Sequence, residues 1–350
     1  VFLVSFILLL FPVFYISEAS SYIDLMIGGL FLGIGGAVFS VGVTSLPKYY
    51  PKERHGFVNG IYGAGNIGTA ISTFAAPVIA TQIGWSMTVK LYLILLLIFA
   101  LLNFVFGDRK EERMKAPIVK QIKSVYKNEK LWYFSLFYFI TFGSFVAFTV
   151  YLPNFLVGYF ELDKVDAGMR TAGFIAVATA LRPVGGWLGD KFQPLFLLMG
   201  VFVTYTVAAM LLAFSPSIFL YSVGCIVIAI SAGIGNGVIF KLVPYYFQQQ
   251  AGIVNGIVSM MGGLGGFFPP LLLAAIHSIT GQYSIGFMLL SSVSLASLVI
   301  VISMHYQDKL EVANEVFNST GQGILVTDRS GTILAINPAF TMLTGYTEAE

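Results

Sequence analysis

Arg182 is the residue on which chemistry would turn. It lies in the apolar run TAGFIAVATALRPVGGWLGDKF at 171–192, eight residues before Asp190. At ~1.5 Å per helical residue it is about 12 Å from the span end, near the middle of a ~30 Å hydrocarbon core. A charge at that depth is costly and usually functional. The competing account is a structural ion pair, which needs a carboxylate at similar depth. Asp24 and Asp190 lie near span ends, and no glutamate lies inside an apolar run. The missing counter-ion therefore points to a substrate. A guanidinium stays protonated, and its planar fork can hydrogen-bond a planar oxyanion at two points.

Other unusual residues converge on that depth. Asn66, in GAGNIG at 63–68, is ten residues into its run, about 15 Å down. Gly65 precedes it, and Gly262 and Gly263 stand at the same depth in a later run. Tyr138 and Phe142 are four apart and share a helix face. For Asn66 a helix-to-helix hydrogen bond competes with ligand contact. Tyr138 and Phe142 could equally be bundle core. Gly56, Gly60, Ala64 and Gly68 have the spacing of a helix-packing row. No metal-ligand cluster, catalytic triad or phosphate loop is present, so nothing argues for an enzyme, a metal or a cofactor in this part.

The elements that must position these residues are membrane helices. Of 350 residues, 57% are hydrophobic and 10% charged, where a soluble domain carries about 25% charged. The solvent for most of the chain is therefore lipid. Runs long enough to span fall at about 1–16, 23–46, 57–82, 87–106, 132–157, 168–189, 194–214, 218–241, 252–276 and 283–305, ten in all. Cys225 is the single cysteine and has no disulfide partner. The formal net charge of +2 says nothing about partners, but the placement of charge does. The loop 107–131 carries Arg109, Lys110, Arg113, Lys115, Lys120, Lys123, Lys127 and Lys130. Lysine and arginine mark the cytoplasmic side, so both chain ends are expected in the cytoplasm. The loop reads equally as a helix lying on the anionic inner leaflet or as a solvated linker.

One phrase repeats. VNGI stands at 58–61 and again at 254–257, each time just after a cytoplasmic loop and opening a glycine-rich run that ends in proline. This reads as a parallel repeat about an axis along the membrane normal. Six spans in the second half imply six in the first, of which four are present, so two helices are expected upstream.

The stretches GIYGAGNIGTAISTFAAP, SLFYFITFGSF, LRPVGGWLGDKF and GGLGGFFPP together resemble the major facilitator superfamily, and within it the nitrate/nitrite porter family, over residues 1–306. The similarity is strongest to bacterial nitrate transporters. The resemblance implies an all-α membrane protein, a major facilitator fold lacking its first two helices (helices 3–12 present). It implies that Arg182 holds nitrate, that Tyr138 and Phe142 line the anion pocket, and that Asn66 is the signature asparagine of the fifth helix. Gly186, Asp190 and Lys191, in GWLGDK, resemble the superfamily's gating loop, where Asp190 can cap a neighbouring helix end.

After Tyr306 the composition changes. Residues 307–318 read as a helical linker. GILVTD, RSG and TILAIN read as two strands about a turn. Gly323-Ile324, Asp328 with Gly331, Asn337-Pro338-Ala339-Phe340 and Gly345-Tyr346 resemble the start of a PAS sensor domain over 319–350, a partial α+β unit. Its pocket would lie beyond Glu350, so no PAS ligand is assigned, and a signalling enzyme further on stays compatible. The expectation is a multi-pass cell-membrane transporter of nitrate and nitrite working by alternating access, coupled to a PAS module that could dimerise. No nucleic-acid partner is expected. The alternatives are a nitrate receptor on a transporter fold, or a facilitator for another small anion. With no carboxylate inside a span, exchange without obligatory proton movement is expected.

Overall fold

The computed structural model describes residues 1–107, 117–214 and 217–347. Its helices follow the apolar runs. Helices α1 (Phe2–Ser17) and α2 (Tyr22–Ser45) pack as a hairpin. A reciprocal cap sets the turn between them: Asp24 N–H donates to Ser21 Oγ at 3.2 Å, and Ser21 N–H donates to the Asp24 carboxylate at 3.0 Å. Tyr15 Oη also donates to Asp24, at 3.0 Å. That carboxylate thus serves its own turn and the helix start.

The third expected span is not one helix. Helix α3 (His55–Gly63) passes through a 3₁₀ turn, Ala64–Asn66, into α4 (Ile67–Ile83). Glycine at 63 and 65 weakens the α-helical preference where the break falls. Gly84, at φ +82°, reverses the chain into α5 (Trp85–Phe106). A short helix α6 (Ile118–Val125) follows in the basic loop. Arg109, Lys110, Arg113 and Lys115 of that loop lie outside the described residues. Then come α7 (Glu129–Phe160), α8 (Lys164–Lys191), α9 (Pro194–Phe214), α10 (Ile218–Tyr246), α11 (Ala251–Thr280) and α12 (Ser284–Ser319).

Among the described residues, seven helices are long and apolar enough to cross a membrane: α2, α5, α7, α9, α10, α11 and α12. The other three expected spans depart from that pattern. Helix α1 has 16 residues. Helices α3 and α4 are separated by the 3₁₀ turn. Helix α8 carries Arg182 among many small residues, which lowers its hydropathy.

The chain divides into two compact units, Val1–Leu298 and Val299–Glu350. In the first, α10 packs on α8, α11 on α7, and α3 on α8. Helix α8 is therefore central. Its contact with α3 is backbone against backbone: a Cβ at Gly56 would collide with the Gly186 carbonyl, and one at Gly186 with the Gly56 carbonyl. Gly60 faces the Arg182 and Pro183 backbone in the same row. Gly68 does not continue this close approach: it follows the 3₁₀ turn, which shifts the helical phase, and a Cβ there would meet nothing within 4 Å.

The second unit contains the end of α12, which runs unbroken through the expected linker. It also has strands β1 (Leu325–Thr327) and β2 (Ile333–Ile336), paired antiparallel, and helix α13 (Pro338–Thr344). Asp328 accepts from Ser330 Oγ at 2.7 Å and from the Ser330 and Thr332 amides at 2.9 Å. These bonds, the Ser330 hydroxyl first, hold its carboxyl below the usual carboxylate range. Asn337 is fully buried; it donates to the Phe317 and Gln322 carbonyls and accepts from the Ile324 and Phe340 amides.

The α3–α8 contact yields a test. Gly186→Ala must push two backbones apart, and overpacking of this kind costs about 1–3 kcal/mol. Gly189→Ala is the control, because its nearest atoms are 3.8 Å from a new Cβ. Thermal unfolding of the detergent-solubilised protein should show a clear loss for Gly186→Ala and little change for Gly189→Ala.

Candidate functional site

Arg182 is buried, with 3% of its surface exposed. Helix α8 presents it to α3, α7 and α2. Its Nη1 donates to the Gly63 carbonyl at 2.8 Å, and its Nη2 to Tyr138 Oη at 3.3 Å. Three aromatic faces surround the guanidinium. Its carbon lies 5.2 Å from the Phe142 ring centroid, 5.9 Å from Phe39 and 6.0 Å from Phe145. Tyr138 and Phe142 stack with centroids 4.9 Å apart and planes 2° apart, as a pair four apart on one helix can. Phe240 of α10 meets Tyr138 edge-on at 4.7 Å.

Among the described residues no carboxylate pairs with Arg182. The described ion pairs are Lys90–Glu18, Arg170–Asp166 and Lys241–Asp190. A guanidinium has five N–H donors, and two of Arg182's are used by Gly63 and Tyr138. The arrangement is a fixed positive charge, held in aromatic surroundings, with donors to spare. Chemically it suits a small planar anion, which would supply both charge and acceptors. Among the described residues no group of three His, Cys, Asp or Glu could hold a metal.

The expected site residues divide. Arg182, Tyr138, Phe142 and Gly262 come together: a Cβ at Gly262 would collide with the Tyr138 ring and press on Phe142. Asn66 is half-buried, three residues beyond Gly63, and no described hydrogen bond ties it to Arg182. Gly65 and Gly263 are exposed, with nothing within 4 Å of a built Cβ. Phe39, Phe145 and the Gly63 carbonyl were not singled out by the sequence. Phenylalanine is too common in this chain, 32 residues, for any one to stand out.

Asp190 lies two helical turns from Arg182, with 4% of its side chain exposed. Its two oxygens accept from the Gly56 amide at 2.9 Å and the Phe57 amide at 2.8 Å. These are first-turn donors of α3, whose own N-cap, Arg54, makes no side-chain cap. Asp190 therefore caps α3 from another helix, placing a carboxylate at the positive end of its dipole. Lys241 of α10 donates to Asp190 at 2.6 Å and to the Lys52 carbonyl at 2.7 Å. Lys191, the cation adjacent in sequence, instead lies over the Trp187 ring at 4.3 Å. The cation that answers Asp190 is thus Lys241, 51 residues on. A lysine at the end of an apolar run was the available signal, and it reads from sequence only as a loop charge.

The repeated VNGI has a structural counterpart. Asn59 and Asn255 are both buried, and each Oδ1 lacks a hydrogen-bond partner. Asn255 Nδ2 donates to Thr44 Oγ1 at 3.0 Å, tying α11 to α2. Lys90 and His277, near span ends, are also engaged: Lys90 with Glu18, and His277 stacked on Tyr283.

Seven of the described helices are long and apolar enough to cross a membrane, and Arg182 is buried in the bundle. The profile of the Major Facilitator Superfamily matches residues 1–270, and the chain belongs to that superfamily. The "Nitrite extrusion protein" of Bacillus subtilis (strain 168) is 65% identical over 314 residues, 90% of this chain and 80% of that protein. The "Probable nitrate transporter NarT" of Staphylococcus epidermidis is 55% identical over 309 residues, 88% of this chain and 80% of that one. The crystal structure of the human organic anion transporter MFSD10 (TETRAN) matches with a TM-score of 0.68 at 14% identity, over 86% of this chain and 76% of that chain. At that identity the likeness concerns the fold alone. The chain is thus a multi-pass membrane protein of the transporter class, all-helical through its first unit.

The latch generates the second prediction. Asp190→Asn removes the charge that answers Lys241 and turns a donor toward an N–H. Breaking a buried pair costs about 3–5 kcal/mol; partial exposure of the lysine should reduce this to about 2–3 kcal/mol. Thermal unfolding should fall accordingly, and Lys241→Met should restore part of the loss in a double-mutant cycle. Additive losses would separate the two residues.

Proposed function

We propose that this protein moves nitrate and nitrite across the cell membrane by alternating access, with Arg182 holding the anion. The observation that carries the reading is a buried guanidinium with donors to spare and no described carboxylate partner. The relatives' descriptions, a nitrite extrusion protein and nitrate transporters, supply the substrate class. Tyr138, Phe142 and Gly262 wall the site. Asn66, Gly65 and Gly263 flank it and come into play as the halves rock. Gly186, Asp190 and Lys191 belong to the gate, at the end where basic loops place the cytoplasm. Transport follows from breaking and remaking helix-end contacts around one fixed charge.

A second reading concerns the segment after α12. The β1–β2 hairpin, the Asn337 hub and α13 support the resemblance to the start of a PAS domain. On this reading nitrate occupancy biases a cytoplasmic output through different affinity for two states, and the protein is a receptor as well as, or instead of, a porter. Flux of labelled nitrate into proteoliposomes separates the two, because a pure receptor binds without flux.

Two outcomes are expected for the porter. Arg182→Lys keeps the charge but loses the planar two-point geometry. It should fold normally and lose nitrate flux, and normal uptake by this variant would sink the site assignment. Nitrate/nitrite exchange should persist with the pH gradient collapsed, because the carboxylates nearest the bundle are engaged: Asp24 in a cap, Asp190 in the latch and Glu18 with Lys90. Strict dependence of exchange on a pH gradient would show a proton pathway.

A further inference from the structure

The short helix α6 does not belong to the anion site. It lies between two spans, α5 and α7, and packs on α11. At roughly 100° per residue its residues sort into arcs. Val125, Ile118, Ile122, Tyr126 and Val119 fall within about one third of a turn of the helix wheel. Lys123, Lys127 and Lys120 follow immediately beside them, within roughly 60° of one another. Val125 is buried, at 2% exposure, against the protein. Ile118, Val119, Ile122 and Tyr126 are exposed, at 68%, 63%, 40% and 45%. Trp132, at the start of α7, is half-exposed, and its indole N–H donates to the Tyr126 carbonyl at 2.9 Å. Lys120, Lys123 and Lys127 are exposed, and among the described residues none is in an ion pair.

Helix α6 packs on the span α11 and is followed within four residues by the span α7, which holds it beside the membrane surface. An exposed apolar arc there faces lipid, and lysines along its edge stand at headgroup level. Indole and phenol rings prefer the same interface. We propose that α6 is an anionic-phospholipid docking surface: Ile118, Ile122 and Tyr126 enter the acyl boundary, and Lys120, Lys123 and Lys127 hold phosphate-bearing headgroups. Charge complementarity selects the lipid, because a neutral zwitterionic headgroup offers the three cations no net charge. The consequence is mechanical. Helix α6 packs on α11, whose Asn255 is tied to Thr44, so lipid held at α6 braces one side of the bundle at its Asp190 end.

The chain has three tryptophans, so one reporter is available. Trp85→Phe with Trp187→Phe leaves Trp132 in the otherwise intact chain. The protein is reconstituted in mixed phosphatidylglycerol and phosphatidylcholine vesicles, with bromine placed on one lipid or the other at equal mole fraction. Brominated phosphatidylglycerol should quench Trp132 about twofold or more beyond brominated phosphatidylcholine. Lys120→Gln, Lys123→Gln and Lys127→Gln together should bring the ratio to one, as should high salt. Ile122→Ser should lower quenching by both lipids and leave their ratio unchanged. Equal quenching by the two lipids in the unsubstituted lysine background overturns the proposal. So does loss of the preference when inorganic phosphate replaces chloride at matched ionic strength, which would assign the lysines to a free anion.

Discussion

Burying one guanidinium is the constraint around which the bundle is arranged. Taking an ion out of water carries an effective penalty of several kcal/mol. The protein offsets it with a carbonyl from α3, a phenol from α7 and aromatic faces from α2 and α7. The partners come from three separate helices, α2, α3 and α7, so the charge can be accommodated only if those helices meet around it. The small residues of α8 make that meeting possible. Gly185 and Gly186 remove side chains where α10 and α3 approach.

Arg182 and Asp190 act on the same partner. Helix α3 has nine residues, about 13 Å of rise, and the two charges on α8 are eight residues apart, about 12 Å. Asp190 takes the amides of Gly56 and Phe57 at the start of α3, and Arg182 takes the carbonyl of Gly63 at its end. A negative group at the N-terminus and a positive one at the C-terminus both oppose the helix dipole favourably. One helix thus grips another at both ends with matched charge. On the proposed function, an anion that draws Arg182 away from Gly63 would loosen one end of the grip while Lys241 still secures the other, coupling the proposed site and gate through the nine residues of α3.

What the sequence made legible follows from rules that act along one helix. The two-turn separation of Arg182 and Asp190 on one helix came from a fixed rise per residue. The stacking of Tyr138 on Phe142 came from a spacing of four. Pairings between helices were not legible, because no local spacing records them. Lys241 looked like a loop charge and is the partner of Asp190, while Lys191, beside Asp190 in sequence, turns to Trp187. Phe39 and Phe145 were hidden by the abundance of their own kind. In the second unit the RSG turn was readable, and Gly331 takes φ +87° there, where glycine has no Cβ to obstruct it. The end of α13 at Gly345, φ +82°, was not, because the sequence reads as helix through it.

The stretch GAGNIG draws the eye as a ligand loop, but its geometry assigns it first to the backbone. In a continuous α-helix the Ile67 amide would point to the Gly63 carbonyl. Here it bonds to Ala64, because Ala64–Asn66 is wound as 3₁₀. The Gly63 carbonyl, at the head of that turn, also accepts from Arg182. Gly65, exposed and with open space where a Cβ would stand, need not touch a ligand to matter, since weakening the helix at that point is enough. A Cβ at Gly63 itself would come within 3.2 Å of the guanidinium and press on it, so glycine leaves the room in which the arginine reaches the carbonyl. The motif and the arginine are therefore two halves of one device: a helix interrupted at the depth where a buried charge needs an acceptor.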